Sequence, residues 1–422
     1  MKVAGSRPGG PAKVSIISSA LMGTISGSSA ANVATTGAFT IPLMKKNGFS
    51  PAFAGAVEAV ASTGGMIMPP IMGSAAFLMV QYLGVPYSRI IMAALIPAIL
   101  YYLSVHMWVH YQALKTKVQV LDKSSIPPIE DFARRSLLFL PLAAIIISMI
   151  VGYTAIFSAF IAMIVTLLVW AVQKVHITVK GVLDALISGV KASLTSMMAC
   201  IVAGIIVGVC NMTGLGQVLT YNIVKLSGGS LLAALFLTAA ACIILSMGLP
   251  AAACYILVAT IVVGSLTKMG AAAIAAHMFV FYFSCYSNIT PPVAIASYTA
   301  AGLAGAKSMD VAVWVLKIAA PGFIVPFLFV YNPILLMENY TVLGLLIVVV
   351  AAVIGVVFLA IGGVGYMKHP LHPVIRGVFI VASILMIVPE IITTVVGAVM
   401  VVLGILLQRQ FDRQIHEAEK TA

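Results

Sequence analysis

The chain has 422 residues, of which 62% are hydrophobic and only 8% are charged, and its formal net charge is +12. Together with a mean hydropathy of +1.15, this composition excludes a water-soluble globular protein and indicates an all-α polytopic membrane protein. The excess of basic residues is therefore interpreted through the positive-inside rule, and not as a surface for nucleic acid.

The first two apolar runs are both interrupted. Run 14–44 contains the small polar stretch TISGSSAANV, which predicts two half-helices that enter and leave the membrane on one face as a re-entrant hairpin. Run 51–84 contains two glycines and the Pro69-Pro70 pair in its middle. Because proline lacks an N–H group and disfavours helix in the residue before it, this run predicts a helix that is broken at membrane depth. Irregular backbone is tolerated there where it lines a binding site.

The later runs repeat this alternation of continuous and interrupted segments. Run 229–268 breaks at LSMGLPAAAC and predicts a second hairpin, and run 272–305 breaks at SNITPP and predicts a second broken helix. The last stretch, 374–408, is split at Pro389-Glu390. The continuous runs, predicted to be helices, are 88–111, 136–151, 153–173, 193–211, 309–331 and 341–362.

The spacing of the interruptions predicts an internal repeat. Ser28 in the first hairpin precedes Pro70 by the same number of positions as Pro250 in the second hairpin precedes Pro292. One constant displacement along the chain, here called the repeat shift, therefore places Ser28 on Pro250 and Pro70 on Pro292. Two such units inserted in opposite orientations are typical of secondary transporters.

The distribution of basic residues predicts the orientation of the two units. When the loop at Lys45 and Lys46 is placed in the cytoplasm, five crossings separate the hairpins. All basic residues except Arg89, Lys225 and Lys268 then lie inside, as the positive-inside rule requires. The two units therefore enter the membrane from opposite sides.

This repeat divides the chain into four parts. Residues 1–111 are the predicted first repeat, 112–192 are connecting scaffold helices with a cytoplasmic arm, 193–331 are the second, inverted repeat, and 332–422 are extra membrane helices. The sequence has neither a nucleophile–histidine–acid set nor a phosphate-binding loop, which argues against an enzyme and against an ATP-driven pump. Glu58 lies one helical turn before Ser62 in the first broken helix. Its position leaves open a direct role in binding, helix anchoring, or contact with the cytoplasmic interface.

Three long segments carry a resemblance to a known family. GTISGSSAANVATTGAFTIPLMKKNGFSPAFAGAVEAVASTGGMIMPPIMGSAAF, LSMGLPAAACYILVA and NITPPVAIASYTAAGLAG closely resemble the large membrane subunit of TRAP transporters, the tripartite ATP-independent periplasmic systems. More narrowly, the chain resembles fused permeases that work with TAXI-type binding proteins. The resemblance runs through 1–331, and the tail is similar to the extra C-terminal helices of those permeases.

The resemblance implies Na⁺-driven import of organic anions, typically carboxylates, by an elevator-type fold like that of the ion-transporter superfamily. It further implies a multi-pass protein of the bacterial inner membrane and no organic cofactor. The implied partners are a TAXI-type periplasmic binding protein and either a small membrane subunit or a missing N-terminal permease portion. A binding-protein-independent carrier of related fold is the closest alternative. A membrane-embedded enzyme, or a fragment or scaffold that does not transport, is the more distant one. Family members carry further helices before the first hairpin, so we expect that this chain alone does not transport.

The resemblance also implies which residues bind the ion and the substrate. The first Na⁺ site would consist of hydroxyls at a hairpin tip and backbone carbonyls of an unwound loop, namely Ser26, Ser28, Gly65, Met68 and Pro70. The repeat shift gives the second site as Gly248, Pro250, Ser287, Thr290 and Pro292. The small polar residues Ser29, Asn32 and Asn288 would face the anionic substrate near half-helix N-termini.

Overall fold

The structure, a computed structural model, describes residues 8–118, 134, 136–173, 178–387 and 391–421. These residues form seventeen α-helices and two short 3-10 helices. Seven of the helices in the described ranges are long and apolar enough to cross a membrane. The prediction of an all-helical, polytopic membrane protein is confirmed.

The first five helices contain the first pair of predicted breaks. A break at Gly27 and Ser28 separates α1 from α2, and an irregular segment at 68–74 separates α3 from α4. Both breaks lie where the sequence predicts them, because Gly, Ser and Pro end helices at these points. The helices are α1 (Gly10–Ser26), α2 (Ser29–Lys46), α3 (Pro51–Ile67), α4 (Ala75–Leu83) and α5 (Tyr87–Lys115).

The middle of the chain contains one helix that the sequence does not predict. The run at 193–211 is the second half of a helix that begins at Val179, and a short amphipathic helix follows it at Leu215–Leu226. Hydropathy misses both features, because polar residues interrupt the apolar pattern. The helices here are α6 (Leu140–Val151), α7 (Ala155–Val172), α8 (Val179–Met212) and α9 (Leu215–Leu226).

The next five helices follow the same succession as α1 to α5. An irregular segment at 246–250 separates α10 from α11, and one at 287–294 separates α12 from α13. Under the repeat shift, α11 begins and ends at the positions equivalent to those of α2, and α12 begins at the position equivalent to that of α3. The helices are α10 (Leu231–Leu245), α11 (Ala251–Lys268), α12 (Ala273–Tyr286), α13 (Ile295–Ala304) and α14 (Ser308–Tyr331).

Each broken helix packs against helices of the other unit. The central helix α3 contacts α1 and α2 of its own unit and also α13 and α14 of the other. The short helix α4 in turn contacts α11 and α12. Hydrogen bonds join the units at both places, from Lys45 Nζ to the Ala304 carbonyl at 2.7 Å and between the hydroxyls of Tyr82 and Thr260 at 3.0 Å. The two irregular segments therefore belong to one packed core.

Three C-terminal helices complete the fold, and the first of them lies along α5. Arg89, near the start of α5, forms an ion pair with Glu338 and donates to the Met337 carbonyl at 2.9 Å. At the other end of α5, Lys115 Nζ donates to the Val364 carbonyl at 2.8 Å. The predicted split at Pro389-Glu390 lies outside the described residues. The helices are α15 (Val342–Val364), α16 (Pro373–Ile387) and α17 (Ile391–Thr421).

Candidate functional site

The tip of the first hairpin is formed by Ser26, Gly27 and Ser28. Gly27 has a φ of 62°, a left-handed conformation that glycine adopts readily and that ends α1. The Ser28 hydroxyl accepts a hydrogen bond from the Ala31 N–H at 3.4 Å and so caps the N-terminus of α2. The Ser26 hydroxyl donates to the Ser28 carbonyl at 3.3 Å. Gly27 lies beside residues 72–74, so this tip faces the break in the neighbouring helix.

The break at 68–74 leaves backbone oxygens available as ligands. The Pro69-Pro70 bond is cis, and the next residues return to helix after the Gly73 N–H donates to the Met66 carbonyl at 2.6 Å. Within the described part of the chain, no donor reaches the carbonyls of Met68, Pro69 or Pro70. Because unpaired carbonyls at membrane depth are costly, a cation or a donor on a ligand would stabilise this segment.

Gly65 does not lie in the unwound loop, as predicted, but in the last turn of α3, which continues to Ile67. A Cβ atom on Gly65 would lie 2.4 Å from the Cα atom of Gly23 on α1. A Cβ atom on the preceding glycine, Gly64, would likewise lie only 2.5 Å from a ring carbon of Tyr101. Glycine is required at both positions because a Cβ atom has no room there, and the predicted role of the Gly65 carbonyl as an ion ligand stays a prediction.

The second unit has a similar pair of irregular segments. Gly248 has a φ of 78° in the segment between α10 and α11, and Pro250 immediately precedes α11. In the break after α12, the Ser287 hydroxyl donates to the Ser284 carbonyl and the Thr290 hydroxyl to the Tyr286 carbonyl, both at 2.8 Å. Both hydroxyl oxygens keep lone pairs for a further interaction.

In the second break, several backbone carbonyls already accept hydrogen bonds. The Tyr298 hydroxyl donates to the Pro292 carbonyl at 2.7 Å. The Asn288 carbonyl accepts from the Ala296 N–H at 2.9 Å, and the Asn288 side chain donates to the Cys285 carbonyl at 3.2 Å. Among the described residues, the carbonyls of Thr290 and Pro291 have no donor. These two oxygens are therefore better candidates for ligands than the Pro292 carbonyl.

The residues predicted to face a substrate lie in different environments. Ser29 is buried at the start of α2, and Asn288 is partly exposed in the second break. Asn32 is fully buried, and its amide donates to the Ser19 carbonyl at 2.8 Å. Asn32 thus joins the two arms of the first hairpin, and its contact with a substrate stays a prediction.

Glu58 is the centre of a hydroxyl cluster that the sequence does not predict. Its carboxylate is fully buried in α3 and accepts hydrogen bonds from α1, α2 and α3. Most of the oxygen–oxygen distances lie in the usual range for hydrogen bonds between hydroxyl and carboxyl oxygens. The donors are Ser15, Ser19 and Thr36 at 2.5 Å, Thr40 at 2.6 Å and Ser62 at 3.2 Å.

This cluster belongs to the first unit alone. At the positions that the repeat shift makes equivalent, the second unit has Val280 in place of Glu58 and Ser284 in place of Ser62. The four other donors are replaced by Leu237, Ala241, Val258 and Val262. The Ser284 hydroxyl is buried next to the Cys254 thiol and has no acid one turn away. Glu58 therefore anchors the first hairpin to its broken helix, whereas in the second unit a hydrogen bond of 2.8 Å between Tyr255 on α11 and His277 on α12 joins the same two elements.

Eight helix ends flank the four irregular segments of the two units. Helices α1, α3, α10 and α12 end there, and α2, α4, α11 and α13 begin there. Helix C-termini carry partial negative charge and attract cations, whereas N-termini carry partial positive charge and attract anions. Where the first hairpin tip lies beside residues 72–74, helix ends of both signs are close together, as a site for a cation and an anion requires.

Comparison with known proteins agrees with this arrangement. Residues 1–343 match the sequence model of the family described as "Tripartite ATP-independent periplasmic transporter, DctM component". The chain is 29% identical over 206 residues to the "Uncharacterized protein YgiK" of Salmonella typhimurium, a match that covers 48% of this chain and 46% of that protein. It is 35% identical over 92 residues to the "Uncharacterized protein y4mL" of Sinorhizobium fredii, which covers 22% of each. The chain therefore spans less than half the length of the curated relatives it matches.

Proposed function

Because the chain belongs to the DctM family of tripartite ATP-independent periplasmic transporters, we propose that it is a membrane component of a Na⁺-coupled importer of organic anions. The family is one of transporters and not of enzymes. The observation that carries the proposal is the pair of irregular segments at 68–74 and 287–294, the first of which lies against the tip of the α1–α2 hairpin. Such paired discontinuous helices hold substrates and coupling ions in secondary transporters.

We further propose that α1–α5 and α10–α14 are inverted repeats, each with a re-entrant hairpin and a broken helix, that move together as an elevator. The matching helix bounds and the proline pairs at equivalent positions support the repeat. The charge bias of the loops supports the opposite orientations. The helices before and after these units, at 112–192 and 332–422, would then be scaffold and extra membrane helices.

Sodium is the coupling ion that fits the breaks best. The first site would combine the hydroxyls of Ser26 and Ser28 with the carbonyls of Met68 and Pro70, and the second would use hydroxyls and carbonyls at 287–292 with Gly248 and Pro250. Neither break contains Asp or Glu, so no negative side chain balances the charge of a divalent cation such as Ca²⁺. Neutral oxygen ligands at helix C-termini suit a monovalent cation.

The anionic substrate would lie against the N-termini of the half-helices, near Ser29, Asn32 and Asn288. Backbone N–H groups and the helix dipole at such ends favour carboxylates. We propose a TAXI-type periplasmic binding protein as the partner that delivers the substrate, together with a small membrane subunit or equivalent helices. The transporter would reside in the bacterial inner membrane.

The test is uptake by the complete transporter in liposomes, with the binding protein and a labelled carboxylate outside. We expect uptake to require both a Na⁺ gradient and the binding protein. Ser28→Ala removes one oxygen ligand and should raise the Na⁺ concentration for half-maximal uptake. Ser18→Ala is the matched control, because the Ser18 hydroxyl lies on the same hairpin and donates only to the Ser15 carbonyl.

The outcomes separate the parts of the proposal. Uptake without the binding protein would show a carrier that works alone. An equal rate of uptake with and without the Na⁺ gradient would contradict sodium coupling. An unchanged Na⁺ dependence in Ser28→Ala, or an equal change in Ser18→Ala, would remove the first hairpin tip from the ion site.

A further inference from the structure

A cavity of about 680 Å³ lies between α5, α14, α15 and α16, away from the two breaks. Three basic side chains line it, Lys115, Lys317 and Arg376, together with Gln112. Lys115 and Gln112 lie near the end of α5, Arg376 lies near the start of α16 beside the end of α15, and Lys317 lies in the N-terminal half of α14. These parts of the four helices therefore meet on one side of the membrane, which the positive-inside rule identifies as the cytoplasmic side.

Neutral groups are the partners of the three cations. Lys115 donates to the Val364 carbonyl at 2.8 Å, and Arg376 donates to the carbonyls of Gly362 and Gly363 at 2.6 and 2.7 Å. Lys317 lies 4.9 Å from the centre of the Trp314 ring. Across the described ranges, none of the three cations forms an ion pair with a carboxylate.

These contacts cap the C-terminus of α15, but they do not neutralise the charge. A helix C-terminus contributes only about half a negative charge, against three positive charges at this cavity. An anion is therefore the complementary ligand.

The deeper part of the cavity is apolar. Its lining includes Ile324, Leu359, Ile380 and Ile384. Ile384 follows Arg376 by about two turns on α16, which places it roughly 12 Å further along the helix at 1.5 Å per residue. A ligand that fills this cavity must carry negative charge at one end and an apolar chain at the other.

We propose that this cavity binds an anionic phospholipid of the cytoplasmic leaflet. Its phosphate would lie among Lys115, Lys317 and Arg376, and one acyl chain would lie along Ile324, Ile380 and Ile384. Basic pockets between membrane helices on the cytoplasmic side are suited to anionic headgroups, because both the surface potential and the local charge favour them. The Trp108 side chain also lines the cavity, and its indole N–H has no partner among the described residues.

Native mass spectrometry of the delipidated full chain in detergent tests the proposal. Phosphatidylglycerol and phosphatidylcholine with identical acyl chains are added in equal amounts, and the retained lipid is counted. We expect phosphatidylglycerol to be preferred, and Lys317→Gln to lower its retention about fivefold, which corresponds to roughly 1 kcal/mol for one basic residue. Lys307→Gln is the matched control, because Lys307 is an exposed residue that immediately precedes α14 and does not line the cavity.

Two further arms distinguish a lipid from a soluble anion. Ala320 lines the apolar part of the cavity, so Ala320→Phe should obstruct the acyl chain and lower retention while all three cations remain. Inorganic phosphate should compete poorly, because it lacks the apolar chain. Equal retention of the two lipids, or no change in both Lys317→Gln and Ala320→Phe, would overturn the proposal. Full displacement of the lipid by equimolar phosphate would show a site for soluble anions instead.

Discussion

Replacing Glu58 with alanine is expected to destabilise the packing of α1 and α2 on α3. The Glu58 carboxylate is the common acceptor of hydroxyls from all three helices, and it is fully buried. Its removal leaves these hydroxyls in a site that water does not reach. The size of the effect depends on how many of them have another acceptor.

The structure shows which hydroxyls would lose their partner. Thr36 and Thr40 keep backbone acceptors at 2.8 and 3.0 Å, and Ser19 keeps the Thr36 hydroxyl at 3.1 Å. Ser15 and Ser62 have no acceptor other than Glu58 in the described residues. Two buried hydroxyls without a partner cost roughly 2–6 kcal/mol, because each costs about 1–3 kcal/mol. We therefore expect a net loss of about 2 kcal/mol or more.

Thermal unfolding of the purified protein in detergent measures this loss. An unfolding entropy of about 2.1 cal/mol/K per residue gives roughly 1 °C per kcal/mol for a chain of 422 residues, so Glu58→Ala should lower the melting temperature by roughly 2 °C or more. Glu58→Gln should cost less, because the amide keeps one acceptor oxygen. In a protein that already carries Glu58→Ala, the further change Ser15→Ala should lower the melting temperature much less than it does alone, since the effects of contacting residues are coupled.

Ser18→Ala is the control for Ser15→Ala, because its hydroxyl lies on α1 and bonds only to a backbone carbonyl. A melting temperature for Glu58→Ala equal to that of the unchanged protein would refute the reasoning. So would additive effects of Glu58→Ala and Ser15→Ala, because they would show that the two residues do not interact.

Three further predictions concern the helix crossing, the topology and the C-terminal helices. Gly65→Ala should destabilise the protein by about 1–3 kcal/mol, because the new Cβ atom meets the backbone of Gly23. Gly302→Ala should not, because the space around Gly302 is open. Equal melting temperatures of these two variants would contradict the close helix crossing at Gly65. In a background without native cysteines, a cysteine at Lys268 should react with an impermeant external thiol reagent and one at Lys46 should not, and labelling of both from one side would contradict the opposite orientations. Glu338→Gln should lower stability by less than about 1 kcal/mol, because the partners of this ion pair are 33% and 27% exposed; a larger loss would show that the pair is more strongly shielded from water than its exposure indicates.

The sequence predicts the helix breaks well because their causes are local. Each of the pairs Pro69-Pro70 and Pro291-Pro292 removes two successive backbone donors from a helix. The breaks at 68–74 and 287–294 can therefore be predicted from the local sequence. The helix at Leu215–Leu226 is missed because polar residues alternate with its apolar ones. Hydropathy identifies membrane spans and does not detect short amphipathic helices.

Contacts between distant residues are what the sequence cannot supply. Gly65 looks like a loop glycine, and only the position of Gly23 on another helix shows that it permits a crossing. Glu58 and Ser62 are neighbours on one helix and could be paired from their spacing. The hydroxyls of Ser15 and Thr40 come from two other helices, and nothing in their local sequence indicates a shared acceptor.

Two contacts tie opposite ends of α5 to the part of the chain that contains α15. Arg89 and Lys115 are separated by roughly 39 Å along α5. Lys115 donates to the last residue of α15, whereas Arg89 contacts Met337 and Glu338 in the segment just before α15. A displacement of α15 along α5 by one helical turn, about 5.4 Å, would break the Lys115 contact. These contacts therefore favour one register of the two helices in the membrane.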